Sequence, residues 1–132
     1  MAVSVNDLVG TWDMVHDDWR GTLVVRPPSQ RFNEVAGPCT YSYYAVDGTY
    51  TGDDGSARTM RGRFRGRDPN KRTNEQCKRS EHKVSKVSFT ITFPNEPPQP
   101  FDGYLYTHSG RTLAGYTWWR GLPFGWYAQK RS

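Results

Sequence analysis

The sequence predicts an all-β domain: one antiparallel up-and-down β-barrel of about eight strands spanning residues 1–132. Three observations lead there. Apolar and polar residues alternate with period two in several runs, most clearly Val87, Phe89, Ile91 and Phe93 against Lys86, Ser88, Thr90 and Thr92. Thirteen Gly and nine Pro punctuate the chain, and no stretch carries apolar residues at helical spacing. The apolar fraction is only 35%, yet aromatics reach 14%, and a chain that stays disordered is poor in aromatics. At 132 residues one domain can bury a core without metals or several disulfides.

The elements follow in order. Leu8, Gly10, Trp12 and Met14 share one face of a first strand, and His16-Asp17-Asp18 makes the turn. Trp19, Gly21, Leu23 and Val25 line a second strand that stops at Pro27-Pro28, because proline cannot donate to a ladder. Ser29 to Pro38 reads as a polar loop without period. Tyr41 to Thr51 is a third strand region, broken at Asp47-Gly48 by a bulge or a short hairpin, and Asp53-Asp54-Gly55 is a turn. In the fourth strand, Ser56 to Gly66, Arg61, Arg63, Arg65 and Arg67 fall opposite Met60, Gly62, Phe64 and Gly66. Asp68 to Lys83 is a long polar loop, Val84 to Phe93 a fifth strand and Asn95 to Pro100 a connection. Phe101 to Tyr106, Thr112 to Trp119 and Phe124 to Arg131 complete a meander, with turns at Ser109-Gly110 and Gly121-Leu122-Pro123. Closing such a sheet into a barrel removes both exposed edges.

Several classes of function find no support in the sequence. No segment is long and apolar enough to span a membrane as a helix, and Met1 to Leu8 shows no basic stretch followed by an apolar run, so a cytoplasmic protein with no membrane partner is expected. Cys39 and Cys77 lack metal-ligand spacing, so no metal and no cofactor is expected; the pair could form a single bridge in an oxidising compartment, and reduced thiols are the plainer reading. No nucleophile elbow, HExxH or phosphate-binding loop appears, so nothing in the sequence calls for catalysis.

Gly10-Thr11-Trp12, near the start of an all-β chain of this length, resembles the G-x-W of the calycins, the lipocalin, fatty-acid-binding and avidin barrels. Further fragments, in order, resemble the avidin-like branch: Gly48-Thr49-Tyr50-Thr51 the third-strand segment, Phe101-Asp102-Gly103-Tyr104 the sixth, Thr117-Trp118-Trp119 the seventh and Trp126 to Lys130 the closing strand. The resemblance implies an eight-stranded barrel with an interior ligand site. It does not imply biotin. Of the polar set with which avidins hold the ureido group only Tyr50 is retained, with Met14 at the first-hairpin Asn position and Trp126 at or beside the last-strand Asp position. Each buried polar group left unpaired would cost roughly 1 to 3 kcal/mol. The connection Arg120 to Pro123 is too short to lend a Trp to a neighbouring subunit, so the avidin tetramer is not implied either.

Two sets of residues stand out as candidate sites. Trp12, Tyr43, Tyr50, Trp118 and Trp126 could line a cavity and grip a flat ligand by stacking, or they could simply fill the barrel. Arg61, Arg63, Arg65 and Arg67, extended by Arg58, Lys71, Arg72, Lys78, Arg79 and Lys83, hold most of the excess behind the net charge of +5. They could bind phosphates or single-stranded bases, or form a solvated exterior that resists edge pairing. His16-Asp17-Asp18 reads as a polar turn. The leading expectation is a non-enzymatic protein holding a small organic ligand or a sugar in an aromatic-lined cavity or at its mouth. An anion- or nucleic-acid-binding module using the arginines is the first alternative, and a lectin using exposed Trp19, Tyr104, Tyr106, Trp119 and Tyr127 the second. A homo-oligomer is expected from the aromatics on strand exteriors.

Overall fold

The structure, a computed structural model, describes residues 4–36, 39–67, 85–106 and 108–131, and only the backbone at 34–36, 39–42, 66 and 67. Alternation does build the strands. In β1 (Gly10–His16) Trp12, Met14 and His16 turn inward, and in β2 (Trp19–Val25) Leu23 and Val25 do the same. A two-residue turn joins them, with Asp17 and Asp18 both at positive φ, which matches the twist of a tight hairpin.

The chain continues through β3 (Gln30–Ala36), β4 (Cys39–Gly52), β5 (Ala57–Arg67), β6 (Lys86–Ile91), β7 (Gln99–Leu105), β8 (Thr112–Trp119) and β9 (Leu122–Lys130). All pairings are antiparallel. Neighbours in sequence pair from β4 to β9, β9 returns to β1, and β2 pairs with β4 from Gly21↔Gly52 to Val25↔Gly48. Eight strands therefore close into an up-and-down barrel, and β3 lies outside the ring.

That ninth strand corrects one expectation, since residues 30–36 of the polar stretch are paired rather than looped. β2 and β3 run one after the other along the same edge of the 14-residue β4. At the double proline the ladder skips: Arg26 N donates to Asp47 O and Ser29 N to Ala45 O, while Pro27 and Pro28 have no proton to give. The expected break at Asp47-Gly48 is likewise absent. β4 is continuous there, and only its partner changes, from β3 to β2. Gly48 is needed because a Cβ would stand 2.0 Å from Val24 O.

The two ends of the barrel differ. Odd and even turns alternate between ends, so the β1–β2, β4–β5, β6–β7 and β8–β9 connections gather at one rim. The opposite end is closed by α1 (Val5–Leu8), a one-turn helix that begins with a capping box between Ser4 and Asp7. Leu8, expected in the first strand, instead ends this helix, and it is buried with Val5. The Trp12 indole donates to Leu8 O at 2.9 Å, Lys130 Nζ donates to Asp7 O at 2.6 Å, and the ammonium lies 5.8 Å from the Trp12 ring centre. Above this plug Met14, Leu23, Val25, Met60, Phe64, Val87, Leu105 and Leu113 fill the lower half of the barrel without exposure beyond 2%.

Candidate binding cavity

Packing changes character one layer higher. Phe89 and Phe101 stack with centroids 5.0 Å apart, and Trp126 meets both edge-on at 5.3 and 5.9 Å. The Trp126 indole N–H donates to Asp102 O and Tyr116 O, both at 3.1 Å. It lies against Gly103, where a Cβ would stand 2.4 Å from Ala114 O and 2.7 Å from the ring, so only glycine fits between the neighbouring strand and the indole. His16 packs edge-on to Phe101 at 5.6 Å and to Tyr50 at 5.5 Å. This aromatic layer is a floor.

Over it opens a cavity of about 580 Å³ at the rim opposite α1. His16 and Tyr50 line it below, Phe93, Trp119 and Phe124 stand along its walls, and Trp19 reaches the mouth. The register explains the set: Gln99, Thr117 and Phe124 each sit two residues rimward of an inward core position on β7, β8 and β9. Polar groups in it occur as pairs. His16 Nε2 and Tyr50 Oη are 3.0 Å apart; Gln99 Nε2 donates to Thr117 Oγ1 at 2.8 Å, and that hydroxyl donates to Pro100 O at 2.8 Å.

Electrostatics divide floor from mouth. Burial pushes His16 below its ordinary pKa, against the opposing pull of Asp17, so the ring is held neutral. The Tyr50 hydroxyl is pushed up to about 12 by burial and by the carboxylates of Asp53 and Asp54. The floor is thus uncharged near neutral pH, whereas the mouth carries Asp17, Asp53, Asp54 and Glu96 against Arg20 and Arg58. Glu96 is engaged by Arg120 at 3.1 Å. Hydrogen bonds from Ser56 hold Asp54 below the usual carboxylate range.

The five aromatics singled out in the sequence are not gathered in one place. Tyr50 lines the cavity and Trp126 lies in the floor beneath it. Trp12 is at the closed end, shut off by the filled lower half. Tyr43 is on the outer face, stacked on Phe32 at 5.5 Å beneath Arg63 and Arg65. Trp118 alternates with the inward Thr117 and Trp119 and so faces outward; Trp119 holds the cavity position. His16 ends β1 and lines the cavity, where the sequence suggests a turn. Its parity with Trp12 and Met14 was the available signal. Gln99 gave none, lying among prolines in what read as a connection.

Arg61 and Arg63 are exposed on the outer face as the alternation predicts, and Arg65 is half-buried beside Tyr43. Arg67 ends β5, and its side chain lies outside the described set, as do Lys71, Arg72, Lys78, Arg79, Lys83 and Cys77. A shallow groove of about 360 Å³ runs past Phe32, Arg61, Arg63 and Asp102. Of the expected surface aromatics, Trp19, Tyr104, Tyr106 and Tyr127 are exposed. Among the described residues no group of three potential ligands could hold a metal ion. No helix among them is long and apolar enough to cross a membrane.

No family model and no curated protein matches the chain. The closed antiparallel eight-stranded ring is consistent with a calycin-like fold.

Proposed function

We propose that the protein is a non-enzymatic binding protein that holds a small organic ligand in the open half of its barrel. One observation carries this reading: the lower half is filled by side chains no more than 2% exposed, while the upper half keeps about 580 Å³ open between aromatic walls. A volume of that size lies within the range of small-molecule sites, roughly 300 to 1,000 Å³, with apolar walls and a few polar groups. Trp119 and Phe124 supply flat surfaces against which a ring, aromatic or sugar, can lie.

Trp119→Ala tests the reading. Binding of a fluorescent apolar dye, followed by titration, should weaken about tenfold while the far-ultraviolet circular dichroism is unchanged, as expected for removal of an aromatic worth about 1.4 kcal/mol. Unchanged dye affinity in this variant would place binding elsewhere.

A second reading is favoured by the outer face of β3, β4 and β5. Arg63 lies 4.8 Å from the centre of the Tyr43 ring, which stacks on exposed Phe32, so guanidinium and aromatic surfaces meet as they do in single-strand binding grooves. Binding of a short oligonucleotide there would fall steeply with salt; a flat salt response removes this reading.

A further inference from the structure

The hydrogen bonds at the cavity floor have a fixed direction. Pro100 O can only accept, so the Thr117 hydroxyl spends its single proton there. Thr117 Oγ1 must then accept from Gln99, which sets the carboxamide with its nitrogen toward Thr117 and its oxygen away. Gln99 is 6% exposed. Its Oε1 has no partner among the described residues and is not sealed in the interior, so it opens onto the cavity that Gln99 lines. A buried carbonyl oxygen facing a cavity is an acceptor waiting for an N–H or O–H.

The other pair supplies the complement. Neutral histidine brings one N–H and tyrosine one O–H, and their shared bond consumes one of these two protons. Whichever way that bond runs, one donor is left over: His16 Nδ1–H if Tyr50 donates, the Tyr50 hydroxyl if His16 does. Like Gln99 Oε1, the His16 Nδ1 atom has no partner among the described residues and is not sealed from the cavity. The floor therefore offers an acceptor on β7 and a donor at the β1–β4 side, with no formal charge between them.

Resting on the binding role above, we propose that the ligand is a flat, uncharged ring compound bearing a carboxamide or lactam edge, its N–H accepted by Gln99 Oε1 and its carbonyl oxygen met by the spare donor of the His16–Tyr50 pair. Phe93, Trp119 and Phe124 enclose the ring. Carboxylates are disfavoured twice, by the Gln99 oxygen and by the acidic mouth, where Asp17, Asp53 and Asp54 outnumber Arg20 and Arg58. A fully N-alkylated amide keeps the carbonyl but loses the proton that Gln99 needs.

The test compares benzamide, N,N-dimethylbenzamide, benzoate and toluene on the full chain, by chemical-shift titration of the tryptophan indole and backbone amide signals. Benzamide should bind at least about tenfold more tightly than benzoate and than the dimethyl amide, the discrimination that one unmet buried hydrogen bond produces. In Gln99→Leu the preference for benzamide over the dimethyl amide should shrink to about twofold or less while toluene still shifts the Trp119 signal. Toluene binding with no preference for benzamide over the dimethyl amide in the wild type overturns the proposal and leaves the binding role standing. If no probe shifts the cavity signals, toluene included, both fall. The wild-type ranking decides by itself should the Leu variant not fold.

Discussion

His16 links the cavity to pH. Its folded pKa is depressed, so the unfolded chain binds the proton more readily than the native state does. The stability gained by keeping the ring neutral is whole above the unfolded value of 6.5 and is lost as pH falls through the lower folded value. Denaturant midpoints measured between pH 7.5 and pH 5 should decline toward acid, and His16→Gln should flatten that decline. An equal slope in the variant would assign the acid sensitivity to other groups. Gly115 is a sharper case at the same scale. A Cβ there would stand 1.9 Å from Asp102 O and 2.5 Å from Gly103 Cα, both backbone, so neither can swing aside. Gly115→Val should cost at least about 1 to 3 kcal/mol, the range for overpacking, and should lower the melting temperature by several degrees. Gly125→Ala, with nothing within 4 Å, is the matched control and should melt within about a degree of the wild type.

At the scale of elements, what the sequence made legible was whatever the core reads. β1, β6 and β8 have one face against buried side chains, and that contrast prints itself as alternation. β3 could not be found this way. Its residues 30–33 are all exposed, so no core selects one face, and the strand is held by the backbone of β4 together with the Phe32–Tyr43 stack. Phe32→Ala should therefore cost about 0.5 to 1.5 kcal/mol in chemical denaturation and leave dye binding in the cavity unaltered. A loss of dye binding would mean that β3 supports the barrel rather than riding on it. Candidate residues were legible by type but not by place. Trp118 and Trp119 are adjacent and chemically alike, and only the register of β8 against β7 and β9 decides which one points inward. The α1 plug was hidden for another reason. One helical turn is too short to show a period, and its cap needs only Ser4 and Asp7.

For the whole molecule, closure and filling are separate achievements. Closure is a property of backbone pairing around the ring, including the β2–β4 seam, whereas filling stops at the layer of Phe89, Phe101 and Trp126. Damage to the closed end should therefore reach stability and spare the open one. Leu8→Ala, at 1% exposure, is expected to cost about 2 to 5 kcal/mol in denaturant unfolding, with cavity affinity below the transition held within about twofold. Coupled loss of both would show the two halves to be one unit.

The same division bears on how such a chain can change over generations. The most deeply buried residues lie mostly below the aromatic floor, and those that line the open cavity lie at or above it, at strand ends and in the hairpins of one rim. Substitutions at Gln99, Trp119 or Phe124 can be sampled against a foundation they do not share. A lineage built on this plan could exchange its guest repeatedly while inheriting an unaltered base.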